Sequence, residues 1–392
     1  MRKLLGLTAA ILSASFFATS TASAFDPASA ATVFARMAAS PALSNPSVSL
    51  IDVSTGKVVF ESNANSQRKP ASLMKLLSAA ATLRYLDPSK AFATSLALGP
   101  TPDSIVIDGE YDPWISMNSK EAIKMRRTSF YALASKSIGV IEQRSGAPVK
   151  KLQVYCNDLY SKDVANFKAY YKKRGVNATI ISVSDSKAKS LATEQIFYST
   201  SPTIKEIMNW YLIWSDNIVS ERMARLAARA AGNQFNEQGV AKTFDKVLRE
   251  LGIDPSKIII KDASGLSKQN KLTANILSQL LYKIHSDPLF SQLIDGLPVS
   301  GKTGTLSKRY IESAPQAVGL VKAKTGTLSG TVSLAGYVQS GDREYAFTII
   351  ADNIKRSNYA SEQARKTLDI YLGKIAAPLL LPIIDTSTAI IG

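Results

Sequence analysis

Three short motifs carry side chains able to do covalent chemistry: Ser72-Leu73-Met74-Lys75, Ser215-Asp216-Asn217 and Lys324-Thr325-Gly326. A serine hydroxyl beside a lysine amine is a nucleophile beside a base, provided that burial holds the amine neutral. The pair suits acyl transfer through a serine ester. A histidine-based triad has little material, because the chain has one His and one Cys in 392 residues. His285 closes an apolar helical pattern ahead of Ser286-Asp287-Pro288, where a helix C-terminal cap interaction accounts for it.

The atoms of each motif suggest its part. Three apart on a helix, Ser72 and Lys75 share a face, and at the helix start both the dipole and the Lys324 ammonium favour a neutral Lys75. Ser215 is suited to shuttle a proton between Lys75 and a leaving amine, and Asn217 to donate its amide to a substrate backbone or to Lys75. Asp216 reads as structural. Lys324 supplies positive charge, Thr325 and Thr327 supply hydroxyls for a carboxylate, and Gly326 allows a substrate backbone to approach closely. The N–H groups of Ser72 and Thr327 are the expected oxyanion hole. Taken singly the signals are weak: S-x-x-K recurs by chance, and S-D-N is also a plain N-cap for a helix beginning at Ile218. Lys-Thr-Gly occurs twice, and only the copy at Lys324 lies between strand-like runs; the copy at Lys302 leads into the charged Ser307-Lys308-Arg309. The site is therefore assigned to Lys324.

The elements that must position these groups fall into two sets. Val48 to Val53 and Lys57 to Glu61 read as a hairpin through Ser54-Thr55-Gly56. After Pro70 the period changes to that of an Ala/Leu-rich helix, Ser72 to Leu83. Near the C-terminus, Leu320 to Lys324, Thr331 to Gln339 and Glu344 to Asp352 are strand-like. Between the sets lie helices at Thr203 to Trp214, opened by a Thr203/Glu206 capping box, at Ile218 to Ala231, closed by Gly232, and at Thr273 to His285, with Thr273 as N-cap. The expectation is α+β: a five-stranded antiparallel sheet with helices on both faces, an all-helical subregion, and the site at their boundary. Residues 97–193 break the pattern, with strand candidates at Ser104 to Ile107, Leu152 to Tyr155 and Ala178 to Val183 and a helix from Ser129 to Ile138. They read as an inserted accessory domain, leaving 25–96 and 194–392 as a discontinuous catalytic domain.

Composition bounds the setting. Met1-Arg2-Lys3, the apolar run Leu4 to Ala18 and Ala22-Ser23-Ala24 form a signal-peptide pattern over residues 1–24, so the mature chain is expected to start near Phe25 in the periplasm or another extracytoplasmic space. With Cys156 alone, no disulfide can hold the fold, and its apolar context reads as a small buried hydrophobe. A net charge of +16 suggests anionic partners such as cell-wall polymers, acidic peptides or lipid headgroups, hence peripheral membrane or cell-wall association. Nucleic acid is disfavoured, because the basic residues are scattered and Lys172-Lys173-Arg174 is the densest cluster. No His/Cys metal cluster and no Gly-rich phosphate loop are present in the sequence, so neither metal nor cofactor is inferred.

At this level the chain resembles the low-molecular-weight class C penicillin-binding D-alanyl-D-alanine carboxypeptidases and endopeptidases. Pro70-Ala71-Ser72-Leu73-Met74-Lys75, Ser215-Asp216-Asn217-Ile218 and Lys322-Ala323-Lys324-Thr325-Gly326-Thr327-Leu328 match the three family motifs. Asp262-Ala263-Ser264-Gly265-Leu266-Ser267 is similar to a D-x-S-G-L-S stretch, and Gly109 with Asp112-Pro113 to a G-x-x-D-P signature. Leu297-Pro298-Val299 with Gly304-Thr305-Leu306 resembles the segment before the third motif. The resemblance implies a β-lactamase/transpeptidase-like domain interrupted by accessory domains, and action on peptidoglycan stem peptides with β-lactams as covalent inhibitors. The Lys75-to-Ser215 spacing is short for that family and implies one accessory domain, or two reduced ones. Two competing readings are a β-lactamase on the same scaffold, for which no positioned deacylating glutamate is recognisable, and a non-catalytic wall-binding or penicillin-sensing module.

Overall fold

The computed structural model describes residues 25–377, and the expected signal peptide lies outside them. In chain order, α1 (Pro27–Ala38) is capped by the Asp26 carboxylate and is followed by β1 (Ser47–Asp52) and β2 (Val58–Ser62). A 3-10 turn at Ala71–Leu73 runs straight into α2 (Met74–Tyr85). Then come β3 (Ala91–Leu98), β4 (Ser104–Asp108), α3 (Ser119–Met125), α4 (Phe130–Ser145), β5 (Lys151–Asn157), α5 (Ser161–Lys173), β6 (Asn177–Ser182), α6 (Asp185–Leu191) and β7 (Gln195–Thr203). Five helices follow: α7 (Ile204–Trp214), α8 (Asn217–Ala230), α9 (Glu237–Glu250), α10 (Ala274–His285) and α11 (Ser291–Asp295). The described chain closes with β8 (Val321–Leu328), β9 (Thr331–Ser340), β10 (Arg343–Ala351) and α12 (Asn358–Ile375).

The first sheet has the order β2-β1-β10-β9-β8 and every pairing in it is antiparallel. The first hairpin thus zips onto the last strands, with Ser47 opposite Ile350 and Asp52 opposite Tyr345. Period-two alternation sends Ala346 and Ile350 to the helical side and Tyr345, Phe347 and Ile349 to the side covered by α1 and α12. Burying each of the large ones, Phe347, Ile349 and Ile350, contributes about 1.5–3 kcal/mol, so this double-sided sheet is the rigid wall behind the site. Helix α2 runs through the larger core, with ten successive residues from Met74 to Leu83 buried. A helix buried all round needs small residues for close approach, and Ala79-Ala80-Ala81 supplies them. The Thr203/Glu206 capping box and the Thr273 N-cap form as the sequence predicts. His285 differs: its Nε2 meets Glu344 Oε2 on β10 at 2.6 Å, a cross-element pair in place of the expected cap.

A second sheet, β6-β5-β4-β3-β7, lies between the first and second motifs in sequence. Its strands β4, β5 and β6 are parallel, and β3 is antiparallel to both β4 and β7. It reaches from Ala91 to Thr203, beyond the expected 97–193 at both ends. The run Ala91-Phe92-Ala93-Thr94-Ser95-Leu96 has few β-branched residues and no clean alternation, so only its partners make it a strand. Cys156 is buried on β5, as expected of a small hydrophobe. A buried ion pair, Arg222 of α8 with Asp163 of α5 at 2.6 Å, ties this sheet's helices to the helical region.

Candidate active site

Ser72 sits in the 3-10 turn and Lys75 in the first turn of α2, so the expected single helix is a tighter turn that feeds an α-helix. Ala71 has φ +51°, a strained conformation for a residue with a Cβ. Neighbours impose it. Ser333 Oγ on β9 donates to Pro70 O at 2.8 Å, and Gly265 packs so tightly that a Cβ there would lie 1.8 Å from Ala71 O. Gly265 itself has φ +84°, so only glycine suits the position.

Lys75 Nζ is buried and has three contacts: Asn217 Oδ1 at 2.7 Å, Ser264 O at 2.7 Å and Ser72 Oγ at 3.1 Å. The first two partners can only accept. A neutral amine has two N–H bonds for them and one lone pair, which is left to face the Ser72 hydroxyl. Burial pulls the Lys75 pKa down to about 8, against the opposing pull of the Glu221, Asp216 and Asp262 carboxylates. Desolvation is therefore the leading cause, and the like-charge repulsion expected between Lys75 and Lys324 is felt at Lys324. Lys324 is instead the more strongly affected lysine, held well below its usual range by burial and by Lys75.

Three elements hold these acceptors. Asn217 is the first residue of α8, whose N-cap is Asp216, with Oδ1 accepting from Val219 N at 3.0 Å. Ser264 belongs to a loop wrapped around two carboxylates. Glu221 Oε1, one turn after Asn217 on α8, accepts from Ala263 N and Ser264 N at 2.9 and 2.8 Å, and Asp262 Oδ1 accepts from Gly265 N at 2.7 Å. Ser78 of α2 donates to Ala263 O at 2.7 Å. The D-x-S-G-L-S stretch is thus the mooring that aims a carbonyl at Lys75. Sequence reasoning singled out the stretch but missed the roles of Ser264 and Glu221; the signal for Glu221 was its spacing of four from Asn217, which puts both on one helix face.

Ser215 caps α7 with φ +62° and meets Lys324, whose Nζ donates to Ser215 Oγ at 3.0 Å and to Thr325 O at 3.1 Å. The direct contact of Ser215 is thus with the lysine of the third motif and not with Lys75, because the turn between α7 and α8 faces the β8 edge. Lys324 is fully buried, and among the described residues no carboxylate lies within ion-pair distance of it. Its surroundings thus favour an incoming anion. The motif lies wholly within β8, where sequence had the strand ending at its first residue, Lys324. Thr325 Oγ1 donates to Thr305 Oγ1 at 2.8 Å, so the loop after the first Lys-Thr-Gly copy reaches the site although Lys302 is exposed. Gly326 also has a packing role: a Cβ there would lie 2.2 Å from Ser333 Oγ and 2.9 Å from Pro70 O, so the glycine seats β8 against the nucleophile turn. Thr327 is exposed, with Arg365 of α12 at 3.4 Å from its Oγ1.

A serine and a buried lysine at the start of a central helix, a Ser-x-Asn turn between two helices and a Lys-Thr-Gly edge strand define the transpeptidase-like class of serine acyl-transferases. The chain belongs to the D-Ala-D-Ala carboxypeptidase 3 (S13) family, whose model matches residues 30–136 and 138–375. It is 29% identical over 366 residues to carboxypeptidase DacB of Mycolicibacterium smegmatis, covering 80% of this chain and 78% of that one. Its fold is similar to that of penicillin binding protein 4 (dacB) from Haemophilus influenzae, with a TM-score of 0.62 at 15% identity over 85% of this chain and 98% of that one. The same protein complexed with a β-lactam matches with a TM-score of 0.61 at 16% identity, over 83% and 95% of the two chains. The chain is thus a hydrolase of the D-Ala-D-Ala carboxypeptidase type, and the β-lactamase and non-catalytic readings are not favoured. Among the described residues no helix is long and apolar enough to cross a membrane.

Proposed function

We propose that Ser72 is the nucleophile of a DD-peptidase that cuts the terminal D-Ala-D-Ala bond of peptidoglycan stem peptides, or the equivalent D-Ala cross-link. One observation carries the assignment: the two obligate acceptors on Lys75 leave its lone pair for the Ser72 hydroxyl. With a pKa of about 8, roughly a tenth of Lys75 is neutral at pH 7, enough for a general base. Ser72 Oγ attacks the carbonyl carbon of the penultimate D-Ala while its proton passes to Lys75 Nζ. The oxyanion is held by the N–H groups of Ser72 and Thr327.

The substrate's terminal carboxylate is received by Thr325, Thr327 and Lys324, and its charge favours protonated Lys324. Lys324 then passes a proton through Ser215 Oγ to the departing nitrogen as the C–N bond breaks, and the proton that Lys75 took from Ser72 replaces it, leaving Lys75 neutral again. Water, deprotonated by Lys75, cleaves the ester and frees Ser72. Asn217 orients Lys75 throughout. A β-lactam presents the same carbonyl and carboxylate, so it acylates Ser72. We place the accessory unit at the second sheet, residues 91–203, within a chain exported after loss of residues 1–24. The net charge, +16 for the full sequence and +14 once Arg2 and Lys3 leave with residues 1–24, favours retention on anionic wall polymers or the membrane surface.

Intact-mass spectrometry with a penicillin, beside Ser72→Ala, tests the reading. A one-penicillin adduct confined to the parent protein is expected. No adduct with intact penicillin in solution overturns the nucleophile assignment, and no adduct with hydrolysed penicillin points to a β-lactamase.

A further inference from the structure

We infer that the cleft between α3 and α7 is a saccharide subsite holding a sugar ring of the peptidoglycan glycan strand, an inference that rests on the substrate reading above. All three tryptophans of the chain meet there. Trp210 packs edge-on to Trp114 at 5.8 Å between ring centroids and lies 5.8 Å from Trp214. The inner two are fixed: Trp114 is 5% exposed with the Arg127 guanidinium 4.4 Å over its ring, and the Trp210 indole N–H points to Asp216 of the second motif. The outermost is open. Trp214 is 54% exposed, and it directly precedes Ser215.

The cleft, of about 720 Å³, sets Asn118, Lys120 and Lys124 opposite these rings. A pyranose has an apolar C–H face and a rim of hydroxyl and acetamido oxygens. An open indole face matches the first, and amide and ammonium donors match the second. The substrate supplies such rings, because every stem peptide hangs from a sugar of the glycan strand. Position agrees with this occupant, since α7, which carries two of the rings, ends at Ser215 of the second motif, and the Trp210 N–H meets Asp216 of the same motif. A lipid surface would call for protruding apolar side chains. The residue of that kind here, Ile123, is 82% exposed on α3 but does not line the cleft.

Because no other tryptophan exists, tryptophan emission, excited selectively over the tyrosines, reports on this cleft alone. The mature protein, first acylated with a penicillin to occupy Ser72, is titrated with the peptide-free disaccharide of N-acetylglucosamine and N-acetylmuramic acid, with Ser72→Ala protein in parallel. A saturable change in emission is expected in both. Trp214→Ala should weaken the apparent affinity roughly tenfold, and Trp214→Phe should restore most of it. No saturable change, or an unchanged affinity in Trp214→Ala, overturns the subsite. A response to phosphatidylglycerol vesicles in place of the sugar, lost in Ile123→Ser, would also overturn it and assign the face to a lipid surface. The penicillin mass shift on the same sample reports the catalytic reading independently, so the two can fail separately.

Discussion

Asn217 Oδ1 accepts from Lys75 Nζ at 2.7 Å, joining the first residue of α8 to the first turn of α2. The contact fixes which way the lysine's lone pair points. It also sets the charge Lys75 feels, because any carboxylate in that place would hold its proton.

Asn217→Asp is expected to raise the Lys75 pKa above about 8, since an opposite charge stabilises the ammonium. The pH profile of penicillin acylation should move to the alkaline side, with the rate at pH 7 falling by roughly ten- to a hundredfold. An unmoved profile with a lowered plateau would mean that Asn217 serves substrate alone.

Glu221→Gln should move the same profile the other way. It removes one of the carboxylates that raise the Lys75 pKa, while the amide oxygen can still accept from the N–H groups of Ala263 and Ser264. Stopped-flow acylation across pH 5.5–9.5 checks the direction of the shift. Glu221→Ala should instead lower the plateau, because the loop that aims Ser264 O loses its mooring.

In the parent protein the base is the deprotonated form of a lysine whose pKa is depressed. The second-order acylation rate should therefore climb about tenfold per pH unit on the acid side and level off above about pH 8. A rate independent of pH between 6 and 8 would remove Lys75 from the base role.

Thr305→Val leaves the Thr325 hydroxyl without the acceptor it has at 2.8 Å. A lost hydrogen bond of about 1 kcal/mol predicts a roughly fivefold rise in KM for D-Ala-D-Ala peptides. The penicillin acylation plateau should fall less, and Thr305→Ser should restore KM. Equal losses in every kinetic parameter would indicate a collapsed loop.

Two glycines with similar backbones separate strain from space. Gly232 has φ +80° with nothing within 4 Å of an added Cβ, whereas Gly265 has φ +84° with Ala71 O at 1.8 Å. Urea unfolding should show Gly232→Ala losing about 1–2 kcal/mol, the left-handed penalty alone. Gly265→Ala should lose more than about 3 kcal/mol and slow acylation as well, because it displaces the turn that carries Ser72. Equal losses would contradict the packing described for the nucleophile turn.

Much of the catalytic half was legible because its signals are local. The Thr203/Glu206 box, the Thr273 cap and the apolar, strand-like runs of β9 and β10 depend on neighbours within a few residues. The edge of the inserted sheet was not. β3 and β7 are strands because they pair with each other and with β4, and nothing in Ala91 to Leu98 signals that partnership. The partner of His285 was hidden for the same reason, since Glu344 is distant in sequence.

The sequence alone determined the chemical inventory: a serine three residues before a lysine, a Ser-Asp-Asn turn held by helix ends, and a Lys-Thr-Gly copy flanked by strands. Covalent spacing and local propensity suffice for that. Tertiary structure decided which atoms meet, and so which lysine touches which serine. Ser215 faces Lys324 and not Lys75, Thr305 arrives from the other Lys-Thr-Gly copy, and Gly326 serves the protein's own packing. Burial decided the electrostatics. The depression of both lysines comes chiefly from desolvation, and desolvation exists only once the sheet and helices have closed around them.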